Sequence, residues 1–277
     1  MTHKIPLDKL KGIPTTLLLP LRGRCLETRR YDGIIHDPKS VEIADSLDHD
    51  FNLHDVPWDG QVMLAVRTEI LDEATREFLN RHPDGVVVNL GCGLDTRGHR
   101  MDNGRVSWYD LDLAECIDIR RCFFEESARH RFISKSVLDF SWMDDIEKGR
   151  KTLFIAEGLL MYFREADVRR ILLAIKEQFP DSEILFEAYS RLMKICSWHR
   201  FHRRRQRHIK EAFSMFKWGL WSARGMERWS QGIRLLKEWH YLDRHHRRWG
   251  WLRHLRLIRP LRTGMRIVHL HFLPALS

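Results

Sequence analysis

The segment Asn89-Leu90-Gly91-Cys92-Gly93-Leu94-Asp95-Thr96-Arg97 runs an apolar stretch directly into a Gly-x-Gly turn. Glycine lets backbone approach a ligand closely, and such a turn opens toward the strand ends where open α/β sheets bind ligands. A Gly-rich turn can also do no more than link a strand to a helix. Asp112 follows about 20 residues on, where an acid can accept both hydroxyls of a ribose. Asp110 is the neighbouring candidate, and strand alternation lets only one of the two face the cleft. Either acid alone also reads as a helix cap. A third group, Val137-Leu138-Asp139-Phe140 with Trp142, offers apolar side chains to sandwich an adenine ring and an acid for its exocyclic amine. Leu and Phe in such a place are more often core. The fourth is Glu157, a lone carboxylate in the apolar stretch Glu157-Gly158-Leu159-Leu160-Met161-Tyr162. Buried unpaired it would be costly, so it calls for a cationic ligand group or an internal arginine. Tyr162 is the best-placed polar residue for work on an acceptor, although burial of its ring accounts for it equally well.

These groups need a frame. Val62, Val66, Ile70, Ala74 and Phe78 recur at helical spacing over 61–81, and Pro83, Asp84 and Gly85 end that helix. Strands are expected at 86–90, 106–111, 132–137, 152–156 and 183–188, with helices at 113–128 and 165–178 between them. The alternation implies an α/β fold with a mostly parallel sheet and helices on both faces. Residues 190–240 break the rhythm. They read as a basic, Trp-rich helical cap inserted before a last strand at 267–272.

The chain has 277 residues, a hydrophobic fraction of 43% and a charged fraction of 31%, which suits one domain with an insertion. The formal net charge of +9 is uneven: 199–210 hold six Lys or Arg and no acid. Such a run is usually a solvated helix face, and it otherwise suits an anionic acceptor, RNA or a membrane surface. His199 and His202 lie in it and read as surface residues. The five cysteines form no C-x-x-C, so reduced thiols in a cytoplasmic protein are expected, with no zinc site. The short apolar run Leu17–Leu19 is too short to span a membrane.

The four groups together point to a nucleoside-type cofactor, and the blocks around them resemble a family. NLGCGLDTRGHRM (89–101), WYDLDLAECIDIRR (108–121), SVLDFSW (136–142) and AEGLLMYF (156–163) are similar to the leucine carboxyl methyltransferase family. Within it they resemble the bacterial branch of tetracenomycin-type polyketide O-methyltransferases. IPTTLLLPLRGRCLETRR (13–30), AVRTEIL (65–71), FKWGLW (216–221) and IVHLHF (267–272) extend the likeness over nearly the whole chain.

The resemblance implies a class I, Rossmann-like methyltransferase sheet holding S-adenosyl-L-methionine. It places Arg67 on the cofactor carboxylate, Gly91, Cys92 and Gly93 in the turn, and Asp112 on the ribose. Leu138 and Asp139 fall on the adenine side, Glu157 in the cleft, and a further basic position on Arg24. It implies a single domain over 1–277, with an N-terminal segment (1–60) over the cofactor and a helical cap (190–240) over a small-molecule acceptor. Two departures stand out: Gly98-His99 replaces the usual aromatic near the Asp-Thr-Arg segment, and the cap is unusually basic.

Methyl transfer to a carboxylate needs no base, whereas a hydroxyl acceptor does. The rival readings are an RNA methyltransferase using Trp198, Trp218, Trp221 and Trp229 for stacking, a nicotinamide-linked oxidoreductase, and a non-catalytic cofactor-binding protein. No RNA-binding module is recognised, and the third small residue of the dinucleotide turn is replaced by Thr96.

Overall fold

The computed structural model describes residues 17–48, 56–193 and 215–274, with the backbone of residues 5–6. The basic run 199–210, His199, His202 and Trp198 lie outside the described residues.

A run of β-branched residues buried on both faces forms β3 (Val86–Leu90), as a central parallel strand requires. Around it lie β4 (Ser107–Asp112), β5 (His130–Ser134), β6 (Thr152–Ala156) and β7 (Ser182–Tyr189), all parallel. Then come β8 (Ile233–His240) and β9 (Met265–Phe272), which give the order β5-β4-β3-β6-β7-β9-β8. Strand β9 runs antiparallel to both β7 and β8. Two short strands, β1 (Ile5–Pro6) and β2 (Leu47–Asp48), pair apart from this sheet.

Helices cover both faces. In α3 (Trp58–Arg81), Val62, Val66, Ile70, Ala74 and Phe78 are all buried and share a core with Val87, Leu153, Ile155 and Leu185. On the opposite face α6 (Glu165–Gln178) sets Val168, Ile171, Leu172 and Ile175 against Phe154, Phe186 and Val268. The N-terminal helices α1 (Leu18–Thr28) and α2 (Pro38–Ser46) form a third core with Cys92, Leu94 and Ile117.

The structure corrects three expectations. The helix expected over 113–128 is only α5 (Ala114–Arg120). Its end tightens through Cys122 N–H to the Ile119 carbonyl and Phe123 N–H to the Arg120 carbonyl. Phe124 then lies against the Arg120 guanidinium, 4.3 Å from the ring centroid. The third parallel strand starts earlier than expected, because the ladder pairs Trp108–Asp112 with 130–134. The helical reading of 190–240 fails in its last part: Arg224–Trp229 is a 3₁₀ helix and 233–240 is strand β8. An edge strand that is half exposed and interrupted between Leu235 and Lys237 loses the period-2 signature.

Candidate functional site

Gly91 and Gly93 have φ of +66° and +46°, the left-handed region that glycine enters without penalty. The turn is anchored by the N–H groups of Gly91 and Cys92, both donated to the Leu111 carbonyl of β4. A Cβ at Gly93 would meet Leu17 Cδ1 at 2.7 Å, so the start of the N-terminal helical region presses on the turn. Asp112, at the end of β4, accepts the N–H of Gly93 at 2.7 Å and that of Leu113 at 2.8 Å. Burial raises its carboxyl above the usual range, and those two donors oppose the rise.

Asp110, two residues earlier, has the opposite environment. It is fully buried, 2.6 Å from Arg120 and 2.5 Å from His130, and accepts from Trp108 Nε1 at 3.0 Å. Burial would raise its carboxyl, but Arg120 and His130 hold it below the usual range. The two acids are two residues apart and share a face of β4, so the expected alternation does not separate them. Their place along the strand does: Asp110 is structural, within the ladder, and Asp112 lies at the rim.

Behind the turn lies a buried ion-pair network that sequence reading missed almost entirely. Arg97, fully buried at the start of α4 (Arg97–Arg100), contacts Asp72 at 2.8 Å, Asp95 at 2.5 Å and Glu157 at 2.9 Å. Arg67 of α3 holds Glu157 at 2.6 Å and Glu187 of β7 at 2.9 Å. Glu187 also accepts from the hydroxyls of Tyr189 and Tyr241. Burial alone would push Glu157 up, yet Arg67 and Arg97 hold it below its ordinary value. Glu157 thus has internal arginine partners. Asp95 and Arg97 belonged to the recognised Asp-Thr-Arg segment, but nothing in their spacing named Asp72 or Glu187 as partners.

Arg24 is buried and spends its guanidinium on Asp37 (3.1 Å) and the Leu94 carbonyl (2.8 Å). Asp37 in turn accepts from Thr96 at 2.6 Å, which ties α1 and α2 to the segment after the turn. Cys92 is a core residue, and burial pushes its thiol well up. Leu138 and Asp139 are exposed after β5, with Asp139 accepting the N–H of Ser141 at 3.2 Å to cap a 3₁₀ helix. Hydrogen bonding from Ser141 holds the Asp139 carboxyl low. Trp142 is fully buried against Phe154, so it is core. Tyr162 is half-buried, with its ring 5.4 Å from Phe216. Trp218 is buried, Trp229 packs on the core, and Trp221 is 65% exposed. The Gly98 departure also has a structural reason: a Cβ there would lie 2.8 Å from Trp108 Nε1 and 2.9 Å from His130 Cε1. The two rings occupy the space beside residue 98.

Asp139, Asp112, the glycine turn and Glu157 follow the carboxyl ends of β5, β4, β3 and β6, four adjacent strands. Arg67 Nε is buried with no hydrogen-bond partner among the described residues, a donor left over at the same rim. Gly91 and Gly93 turn the chain through positive φ with Leu159 and Leu17 packed beside them, and Asp112 keeps acceptor capacity. These residues fit an adenosyl cofactor carrying an amino-acid tail. Fold and site define a class I S-adenosyl-L-methionine-dependent methyltransferase.

The leucine carboxyl methyltransferase family matches residues 18–176. Over 236 residues, 85% of either chain, the sequence is 31% identical to the tetracenomycin polyketide synthesis O-methyltransferase of Streptomyces glaucescens. It is 27% identical over 188 residues to a putative S-adenosyl-L-methionine-dependent methyltransferase of Streptomyces avermitilis, covering 60% of this chain and 65% of that one. A putative methyltransferase from Thermobifida fusca shares the fold with a TM-score of 0.55 at 12% identity, over 95% of this chain and 99% of its own. The chain belongs to the leucine carboxyl methyltransferase family and is an S-adenosyl-L-methionine-dependent O-methyltransferase.

Proposed function

We propose that the enzyme methylates an oxygen of a small-molecule acceptor, with the cofactor held over the ends of β5, β4, β3 and β6. The observation that carries this reading is the alignment of Asp139, Asp112, the glycine turn and Glu157 behind four adjacent strands. When bound, S-adenosyl-L-methionine supplies an electrophilic methyl group on a sulfonium.

In this assignment Asp112 accepts from the ribose hydroxyls. Leu138 covers the base, and Asp139 accepts from its amine. Gly91 and Gly93 let the chain approach closely, and Cys92 sets the turn on the core. Arg67 holds the cofactor carboxylate through its uncommitted Nε edge, while Glu157 fixes Arg67 and faces the amino group. Arg24 acts at one remove, by fixing the Leu94 carbonyl beyond the turn. The protein's own contribution to the chemistry is alignment of acceptor oxygen, methyl carbon and sulfur.

Tyr162 offers its hydroxyl to the acceptor oxygen. A carboxylate acceptor is already ionised and needs only that orientation. A hydroxyl acceptor gives up a proton, and Tyr162 is assigned to relay it to water, its own O–H proton leaving as the acceptor's arrives. Residues 1–60 are assigned as the cover of the cofactor, supported by Leu17 against Gly93. Residues 190–240 are assigned as the acceptor-side cap of a single domain spanning 1–277. The four described cysteines are free, and no helix among the described residues is long and apolar enough to cross a membrane, which supports a cytoplasmic protein. The name of the Streptomyces glaucescens relative supports a role in polyketide or other secondary metabolism.

The test has two parts. Calorimetry with S-adenosylhomocysteine should show stoichiometric binding, and labelled methyl should move to members of a panel of aromatic acids and phenols. Tyr162→Phe should lower turnover on phenols more than on acids. Transfer to RNA in preference to every small acceptor would overturn the reading.

A further inference from the structure

The rim holds a second concave site, away from the glycine turn. A cavity of about 440 Å³ lies between β8, β9, the chain after Leu220 and the turn 256–263. Strand β9 is third from β3 and β8 fourth, so at normal spacing the cavity is roughly 14–19 Å along the rim from the turn.

Its floor holds a buried charge that is incompletely satisfied. Arg266 is 4% exposed, pairs with Glu238 at 2.6 Å and donates to the Thr263 carbonyl. Its Nε has no hydrogen-bond partner among the described residues, and neither has the buried Nδ1 of His240 beside it. Glu238 is 4.0 Å from that nitrogen. Burial and the neighbouring Arg266 press the His240 imidazole below its ordinary value, with Glu238 opposing. Two donor-capable atoms therefore lack partners in one cavity. Buried polar groups are seldom left so.

The lining is also unbalanced in charge. Arg256, Arg259, Arg262 and Arg266 face it, against Glu238 as the one carboxylate of the lining. Asp243 takes up Arg262, and Arg256 contacts His246 at 3.0 Å. Neither Arg256 nor Arg259 meets a carboxylate among the described residues. Water would satisfy Nε and Nδ1 but would leave the surplus charge in place. Guanidinium forks match the two oxygens of a carboxylate or phosphate. The polar lining carries two large apolar side chains at its edge, Trp221 and Leu257, 65% and 78% exposed, with the Arg191 guanidinium 5.4 Å from the Trp221 ring centroid. A volume of this size is that of a small-ligand site.

We propose that this cavity binds a small organic oxyanion with a planar apolar body, its charged head on Arg266 and Arg259 and its body against Trp221. Trp221, Glu238 and His240 belong to the segment assigned above as the acceptor-side cap, so the site deepens that reading in part, but its binding is read without cofactor and can fail separately from methyl transfer.

Calorimetry on the full-length protein without cofactor tests it, using 4-phenylbenzoate, 4-biphenylyl phosphate and the neutral 4-phenylbenzamide. At least one anion should bind, and the amide should bind at least about tenfold more weakly. The two anions distinguish a carboxylate site from a phosphate site. Arg256→Ala/Arg259→Ala changes two exposed side chains, so it should fold, and it should weaken the anion by about tenfold or more. Trp221→Ala should weaken it through the body. Asp112→Ala should leave it unchanged, which separates this cavity from the cofactor cleft. The proposal fails if neither anion binds, if the amide binds equally, if the double arginine variant binds as tightly as the parent, or if Asp112→Ala abolishes binding.

Discussion

Asp112 Oδ2 accepts the N–H of Gly93 at 2.7 Å, so the acid at the end of β4 and the turn after β3 are fastened to each other by the protein itself. Under the proposed assignment that bond holds the same carboxylate in place for the ribose hydroxyls. Asp112→Ala should weaken S-adenosylmethionine binding by about 1–3 kcal/mol, from loss of charged hydrogen bonds. Calorimetry measures it, with the melting temperature as a control for the lost contact to Gly93. Unchanged affinity would remove the ribose assignment.

Arg97 holds three carboxylates at once, on α3, after the turn and after β6. Truncating it leaves Asp72, Asp95 and Glu157 buried with less compensation, and such a loss typically costs about 3–5 kcal/mol. Arg97→Met should lower the denaturant midpoint accordingly. Arg97→Lys keeps the charge but cannot fork to three partners, so it should recover only part of the loss. A midpoint equal to the parent's in both variants would show that the network contributes nothing to stability.

How much of this was legible beforehand depended on whether neighbours along the chain or partners across it decided the outcome. The β6 strand and α6 fell on their expected residues, because an unbroken apolar run and a clean helical stripe carry their own signal. The rim residues were legible for the same reason: Gly91, Asp112, Asp139 and Glu157 each follow a strand that could be read. The network was not. Arg97 meets Asp72 25 positions away, and Arg67 meets Glu187 across 120, so no spacing rule could pair them. Strand β8 was hidden by its irregular register and half-exposed face.

Gly98 separates this chain from the pattern it resembles, and the reason is steric. A Cβ would stand 2.8 Å from Trp108 Nε1, whose N–H donates to Asp110. Gly98→Ala should displace that ring or the helix and cost about 1–3 kcal/mol, as overpacking does. Gly98→Phe should cost more. Equilibrium urea unfolding checks both, and an alanine variant as stable as the parent would mean that the ring moves freely.

Glu183 gives the protein a defined acid sensitivity. It is 2.7 Å from His269 and takes two bonds from Arg81, at 2.9 and 3.0 Å. Burial would raise its carboxyl, but His269 and Arg81 bring it from 4.5 down to about 2. A folded value below the unfolded one means that the ionised form stabilises the fold. That contribution is complete above about pH 4.5 and is lost as the pH falls toward about 2. Arg81 is half exposed and screened, so the His269 contact dominates. Glu183→Gln should therefore melt lower than the parent at pH 6, by a deficit on the order of 1–3 kcal/mol, and the gap should narrow toward pH 2.5. Melting temperatures of the two proteins over that range decide it. A gap that stays constant with pH would mean that the glutamine loses packing rather than charge.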